Sequence, residues 1–267
     1  MHKLELETIA SCNRTCGTCQ RQTYSTVPGS NDDKFHTARF ENYDNGRVAS
    51  RIGVGIKMPT ETFEKIIEQA KDISDLKVIV FSHYSEPFLD DRLPEFLQYI
   101  KKEIPHIHLQ VCTNFDFMSD ELASKVDGVV DRFNVSLYYE DPVYSERKKL
   151  IKSWFSTSVL NIHPAGKAED YHMTTHFSPR TERLEEKIKG YQDRPCTRYN
   201  GMCIIDYLGN FKHCCEDYSG EFNLGNINDM TIMEMWESEV HQKLMKDLSF
   251  RGGRRLYKHC IDCPDKG

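Results

Sequence analysis

Three cysteines close to the amino terminus constrain this chain more than any other feature. Cys12, Cys16 and Cys19 form a C-x3-C-x2-C loop. A closed structural metal site takes four protein ligands, whereas a reactive site keeps one position open, and thiolates select zinc, copper(I) or iron–sulfur clusters. Because a [4Fe–4S] cluster normally has four cysteine ligands, three cysteines in one loop would leave one iron free for a small molecule. Spacing alone also allows half of a zinc site or three unrelated buried thiols.

The residues before this loop indicate where it sits in a fold. Residues 3–10 alternate in a way that is typical of a strand, so Cys12 is expected just past a strand end, where β/α barrels carry their chemistry. The strand, the loop and its core Cys12-Asn13-Arg14-Thr15-Cys16 resemble the radical S-adenosylmethionine (SAM) enzymes. In that family the three cysteines hold a [4Fe–4S] cluster, and SAM chelates the fourth iron. The resemblance therefore implies Cys12, Cys16 and Cys19 as cluster ligands and SAM as a cofactor.

Composition and charge argue against several classes of partner. The chain has 267 residues, a formal charge of −6 and a sequence pI of about 6.0, without an obvious basic stripe, so we expect no nucleic-acid partner. No apolar run approaches the roughly 20 residues of a membrane helix, and the first residues lack the apolar region of a signal peptide. Ten cysteines without an export signal indicate a reducing compartment. We therefore expect a cytoplasmic protein with no membrane partner.

Strand and helix patterns alternate through the middle of the chain. Helix starts are predicted near residues 59, 93, 119 and 143, and strands at 78–81, 107–111, 133–137 and 158–162. This alternation is typical of β/α units with a parallel sheet. Five strands, counting the first, are too few to close an eight-stranded barrel. We therefore predict an α/β fold with a partial (β/α) barrel of the radical SAM type.

Two segments depart from the alternation and suggest the domain organisation. Residues 21–57 are polar and rich in turn signals, and they are predicted to be an insertion or a lid. After about residue 180 the alternation stops, and the remaining segment holds six of the ten cysteines. The prediction is a radical SAM partial barrel over 1–180 and a small, cysteine-rich α+β domain over 181–267.

The family resemblance also implies a set of SAM contacts. Radical SAM enzymes carry Gly-Glu-Pro after the second strand, in a loop that grips the methionine amino group; here the segment is Ser85-Glu86-Pro87. Their Thr-Asn-Gly after the third strand is Thr113-Asn114-Phe115 here. The implied cofactor contacts are Glu86, Ser85, Asn114 and, on the fourth strand, Ser136. Alternatively, Glu86-Pro87 starts a helix and Ser136 is an ordinary strand residue.

Four more thiolates near the carboxyl terminus make a second candidate site. They are Cys196, Cys214 or Cys215, Cys260 and Cys263. Four cysteines with a C-x2-C pair suit zinc and iron–sulfur equally by spacing. With the turn at 208–210 and the segment 213–217, they resemble the twitch domain, a shortened SPASM domain that holds one auxiliary [4Fe–4S] cluster. The resemblance implies two clusters in all, with Cys196, Cys214, Cys260 and Cys263 as the auxiliary ligands.

The implied chemistry is removal of a hydrogen atom from a small-molecule substrate, with electrons from a flavodoxin- or ferredoxin-type donor. We expect two-electron oxidation of an alcohol on a sugar- or cyclitol-like substrate, since a second cluster can accept the remaining electron. Candidate bases are Tyr138, Glu140 and Arg147. The runner-up is epimerisation with a cysteine as hydrogen-atom donor, for which the candidates are Cys203, Cys215 and Cys112. Peptide modification and a non-catalytic zinc-binding protein are further alternatives.

Overall fold

A computed structural model describes residues 1–14, 56–164, 190–197, 200–215, 217, 222–261 and 263. Most of the predicted insertion at 21–57 lies outside the described residues. So does the stretch 165–189, into which the predicted domain boundary falls.

Five parallel strands form the centre of the fold, as the alternating pattern predicted. They are β1 (Lys3–Leu6), β2 (Val78–Phe81), β3 (His108–Thr113), β4 (Arg132–Leu137) and β5 (Val159–Pro164). In β3 and β4, fully buried residues alternate with half-buried or exposed ones, because successive side chains of a strand point to opposite faces. The buried face contributes Leu109, Val111 and Phe133 to the main hydrophobic core.

Four helices alternate with these strands and pack on the same core. They are α1 (Thr60–Lys71), α2 (Leu93–Glu103), α3 (Asp120–Val126) and α4 (Val143–Trp154). Phe63 of α1 stacks on Phe96 of α2 with ring centroids 3.9 Å apart. The Ser119 hydroxyl accepts a hydrogen bond from the Leu122 N–H and so caps the predicted start of α3. None of the helices in the described ranges is both long and apolar enough to cross a membrane.

The carboxyl-terminal third adds two strands to the same sheet. Strand β6 (Met202–Ile205) pairs in parallel with β1, and β7 (Phe211–Lys212) pairs antiparallel with β6. The predicted turn between them contains Gly209 at φ +83°, a conformation that glycine adopts without steric cost. Helices α5 (Ile232–Glu237), α6 (Glu239–Leu248) and α7 (Lys258–Ile261) follow. The strand order is β5-β4-β3-β2-β1-β6-β7, and this open seven-stranded sheet confirms the predicted partial barrel.

Candidate active site

A cavity of about 190 Å³ lies where the carboxyl ends of β1 to β4 meet. Because these strands are parallel, the segments that follow them converge on one edge of the sheet. Seven candidate residues from the sequence line this cavity: Cys12, Ser85, Glu86, Cys112, Asn114, Ser136 and Tyr138. Cys16 and Cys19 lie outside the described residues. The cavity therefore unites Cys12, the first of the predicted cluster ligands, with the predicted SAM contacts.

Glu86 is a buried carboxylate held by three donors. It is only 2% exposed. It accepts hydrogen bonds from the Thr113 hydroxyl at 2.6 Å, the Asn114 N–H at 2.8 Å and the Phe88 N–H at 3.2 Å. Burial raises its pKa to about 7, although the three hydrogen bonds act in the opposite direction. Glu86 also caps the 3-10 helix Pro87–Leu89, so it starts a helical turn and faces the cavity as well.

The loop after β3 is strained at the position where the family motif has glycine. Phe115 has φ +57°, a conformation that costs a non-glycine residue free energy. Its ring is fully buried and packs against Phe133 and Phe155 at centroid distances of 5.2 and 5.6 Å. Aromatic packing thus holds the left-handed conformation that glycine would supply, and it positions Asn114 beside the cavity.

A charged network that sequence reasoning missed ties the cysteine loop to the loop after β3. Two nitrogens of Arg14 each lie 2.7 Å from an oxygen of Asp116, and the Asn13 amide donates to the same carboxylate at 2.7 Å. The Tyr139 hydroxyl also donates to Asp116, at 2.9 Å. Burial raises the pKa of Asp116, but Arg14 and these hydrogen bonds hold it below its ordinary value. The network fixes the two residues that follow Cys12.

The three predicted bases occupy different environments. Tyr138 lines the cavity, and the Arg14 guanidinium lies over its ring at 4.8 Å. Glu140 is exposed. Arg147 on α4 donates to the Phe115 carbonyl at 3.2 Å and lies 5.0 Å over the Tyr139 ring. Of the three, Tyr138 is the one on the wall of this cavity.

His83 is a second wall residue that sequence reasoning missed. Its side chain is fully buried, with Nδ1 3.7 Å from a carboxylate oxygen of Glu5. Neither ring nitrogen has a hydrogen-bond partner among the described residues. Its backbone has φ +84°, which a histidine adopts only when the surroundings hold it there. Burial raises the pKa of Glu5, but His83 and Lys3 bring it below its ordinary value. A single histidine before Ser85-Glu86-Pro87 forms no sequence pattern that would predict its burial in the cavity wall.

The three cysteines that are not predicted cluster ligands, Cys112, Cys203 and Cys215, lie in separate places. Cys112 lines the first cavity, and burial raises its pKa. Cys203, predicted as a candidate catalytic residue, is 1% exposed, pairs with Leu4 in the sheet and packs in the hydrophobic core. Burial also raises its pKa. The backbone carbonyl of Cys215 accepts a hydrogen bond from the Tyr84 hydroxyl. Of these three cysteines, Cys112 is the one that lines the cavity of the predicted SAM contacts.

The four predicted auxiliary ligands line a second, smaller cavity. Cys196, Cys214, Cys260 and Cys263 share it with His213, Leu248 and Arg254. The Cys196 N–H donates to the Leu248 carbonyl at the end of α6, Cys214 follows β7, and the last two cysteines are on α7 and just after it. Burial and the neighbouring thiols of Cys263 and Cys196 raise the pKa of Cys260 to about 12. Segments distant in sequence thus bring four thiols together.

The chemistry of both cavities suits the implied cofactors. Four thiols around one space are a ligand set for an iron–sulfur cluster. Among the residues that the structure describes, no group of three or more His, Cys, Asp and Glu side chains is arranged to hold a single metal ion. In the first cavity, Cys12 and Cys112 share the wall with a buried carboxylate and an amide. These groups can bind a polar ligand that carries an amino group, as SAM does.

Comparisons with known proteins agree with this organisation. The SPASM iron–sulfur cluster-binding domain family matches residues 196–264. The S-adenosyl-L-methionine-dependent 2-deoxy-scyllo-inosamine dehydrogenase of Niallia circulans is 22% identical, over 96% of this chain and 91% of that protein.

Solved structures show the same fold. The crystal structure of BtrN in complex with AdoMet and 2-DOIA superimposes with a TM-score of 0.68 at 19% identity, over 99% of this chain and 93% of BtrN. Native anSMEcpe with bound AdoMet gives 0.60 at 14% identity, over 99% and 88%. The predicted resemblance is therefore confirmed: the chain is similar to a SAM-dependent dehydrogenase over nearly its whole length, has the fold of BtrN and anSMEcpe, and carries a SPASM-type iron–sulfur region at its carboxyl end.

Proposed function

We propose that this enzyme oxidises an alcohol of a small sugar- or cyclitol-like molecule by two electrons. The observation that carries the proposal is the pairing of two cavities. One joins Cys12 to the buried Glu86 carboxylate at the carboxyl edge of the sheet, and the other collects four thiols. Similarity to a dehydrogenase over nearly the whole chain supports the reaction class.

At the first cavity, Cys12, Cys16 and Cys19 would hold a [4Fe–4S] cluster whose open iron takes SAM. Bound there, cluster and SAM supply the 5′-deoxyadenosyl radical that removes a hydrogen atom from a substrate carbon. Glu86 would bind the methionine amino group, because its carboxylate is already oriented by three donors. Ser85, Asn114 and Ser136 would complete the cofactor contacts.

At the second cavity, Cys196, Cys214, Cys260 and Cys263 would hold an auxiliary [4Fe–4S] cluster. Converting an alcohol to a carbonyl removes two hydrogens: one leaves as an atom, the other as a proton and an electron. The auxiliary cluster would supply an acceptor for that electron. Among the predicted bases, Tyr138 is best placed to take the proton because it lines the first cavity; Glu140 and Arg147, which are not among the residues that line it, remain candidates.

The proposal extends to partners and location. An external flavodoxin- or ferredoxin-type protein would reduce the first cluster. A formal charge of −6 gives little attraction for nucleic acid. A reducing cytoplasm would keep ten cysteines available as ligands or thiols.

Epimerisation is the second candidate, and one observation favours it. Cys112 lines the first cavity together with Cys12 and Glu86, so its thiol lies where a hydrogen-atom donor would be needed. Cys203 packs in the core, a position that gives an epimerase no donor at the cavity.

The two reactions can be separated by one experiment. Anaerobically reconstituted, reduced protein is incubated with SAM and 2-deoxy-scyllo-inosamine or related aminocyclitols in D2O, and the products are analysed by mass spectrometry. Oxidation gives 5′-deoxyadenosine and a carbonyl product that lacks two hydrogens. Epimerisation gives an isomer that carries solvent deuterium at the inverted carbon. Cys12→Ala is the control and should give neither product. An isomer with deuterium that disappears in Cys112→Ala would overturn the oxidation proposal.

A further inference from the structure

A buried cation lines the second cavity beside the four cysteines. Arg254, on the 3-10 helix Gly253–Leu256, is only 1% exposed, and its side chain forms part of the cavity wall. Its guanidinium approaches the carbonyl of Pro195, the residue just before Cys196, at 3.5 Å. Arginine is rarely buried this completely, and its guanidinium stays protonated in proteins.

The local backbone explains why the arginine reaches this place. A Cβ atom added to Gly253 would lie 1.7 Å from the carbonyl oxygen of Asp247, so glycine lets the 3-10 helix approach the end of α6 closely. Leu248, the last residue of α6, lines the same cavity. The close approach therefore turns the next side chain, Arg254, toward the cysteines.

A buried carboxylate also lies near the four cysteines. Asp217 is fully buried, and its N–H donates to the Cys214 carbonyl at 3.0 Å. Arg254 is on the cavity wall, whereas Asp217 is not among the residues that line it. The charged residue that lines the cavity with the four thiols is therefore a cation.

We propose that Arg254 raises the reduction potential of the cluster held by Cys196, Cys214, Cys260 and Cys263, and so makes that cluster an electron acceptor. The inference rests on the proposed function. Each electron added to a cluster with four thiolate ligands increases its negative charge, which a fixed positive charge stabilises. The effect is strong in a buried site, where charges are poorly screened, and net charge near the sulfurs is one determinant of cluster potentials. Arg254 is a positioning residue for electron transfer and touches no substrate.

The test is an EPR-monitored redox titration of the full-length chain at fixed pH. Cys12, Cys16 and Cys19 are changed to Ala so that only the second cluster contributes a signal. In that background, Arg254→Gln should lower the ratio of reduced to oxidised cluster at least about tenfold at a given potential, which for one electron is a shift of about 59 mV to more negative values. Arg254→Lys keeps the charge and should shift less.

Arg255→Gln is the matched control. This neighbouring arginine is 55% exposed and paired with Asp193 at 2.7 Å, so its removal should leave the potential unchanged. An unchanged or more positive potential in Arg254→Gln, with its iron intact, overturns the inference.

Asp217→Asn keeps the inference testable if Arg254→Gln assembles no cluster. Removing the negative charge of Asp217 should move the reduction potential of the second cluster to more positive values. No shift, or a shift to more negative values, overturns the inference. Failure of the parent protein to bind about four irons would instead contradict the proposed second cluster.

Discussion

The two cavities are built in different ways, and the difference shows what each can bind. The first lies at the carboxyl edge of the sheet, and its wall combines Cys12 and Cys112 with a carboxylate, an amide and hydroxyls. The second is lined by four cysteines, Leu248, His213 and Arg254. A polar wall with an incomplete ligand set suits a small molecule bound to a metal group, whereas a complete set of four thiols suits a group that stays closed.

The largest effect is expected when the three predicted ligands of the first cavity are removed while the cysteines of the second cavity are kept. Changing Cys12, Cys16 and Cys19 together to Ala should abolish 5′-deoxyadenosine formation and leave about half of the iron, because the second ligand set is intact. Mass spectrometry of SAM products and iron analysis check this. Retained SAM cleavage in the triple variant would break the distinction between the two cavities.

The reciprocal change should remove the other half of the iron. Cys214→Ala should lose the second cluster and destabilise the carboxyl-terminal third, because metal binding also contributes folding free energy there. Cys215→Ala is the control and should keep its iron, since its neighbour lines the cavity. Iron content and limited proteolysis measure both outcomes. If Cys215→Ala loses iron and Cys214→Ala does not, the cluster ligand is Cys215 rather than Cys214.

Removing the aromatic packing of the loop after β3 should lower the stability of the protein. Phe115→Ala should lower the free energy of unfolding by about 3–5 kcal/mol, because it deletes a fully buried ring and leaves the left-handed backbone conformation in place. Urea denaturation measures the effect, with exposed Phe117→Ala as control. A loss of less than about 1 kcal/mol, the scale of ordinary point substitutions, would contradict this account of the loop.

SAM binding should depend on the first cavity's carboxylate. Glu86→Gln should weaken SAM binding by about 10- to 100-fold, the equivalent of a charge-assisted hydrogen bond of roughly 1.5–3 kcal/mol. Isothermal titration calorimetry above pH 7, where the wild-type carboxylate is ionised, measures the change. Glu140→Gln serves as the exposed control. Equal SAM affinity in wild type and Glu86→Gln would remove this residue from the cofactor site.

The same residue should give the first cavity a pH signature in the absence of SAM. The pKa of Glu86 in the folded protein is about 7, above the ordinary value of 4.5, so the folded state binds the extra proton and loses stability as pH rises toward 7. Between about pH 5.5 and about pH 7 this amounts to roughly 2 kcal/mol, at 1.36 kcal/mol per pH unit. Urea denaturation should show this decline in wild type relative to Glu86→Gln. Parallel curves for the two proteins would contradict the raised pKa.

Local periodicity predicted the elements, and long-range contacts explain what it missed. Helix α4 begins where the pattern placed it, at residue 143, because amphipathic spacing is a local property. The Asn13–Asp116 contact joins residues 103 positions apart, which no local pattern encodes. Every residue of β6 is buried, so alternation could not reveal that Cys203 faces the core. The sequence could propose Cys12, Cys16 and Cys19 as cluster ligands because their spacing is short and chemically specific.

The pairing of strand β6 with β1 limits how this protein can be truncated or joined to parts of other proteins. It hydrogen-bonds along the full length of β1, from Lys3 with Met202 to Leu6 with Ile205, and β1 leads directly to Cys12. The last third of the protein is therefore not a module that can be cut off or exchanged at a linker. Its removal would turn β1, now an interior strand, into a bare sheet edge, a site for unwanted pairing with other chains. A functional chimera would have to carry a β6 that preserves this register.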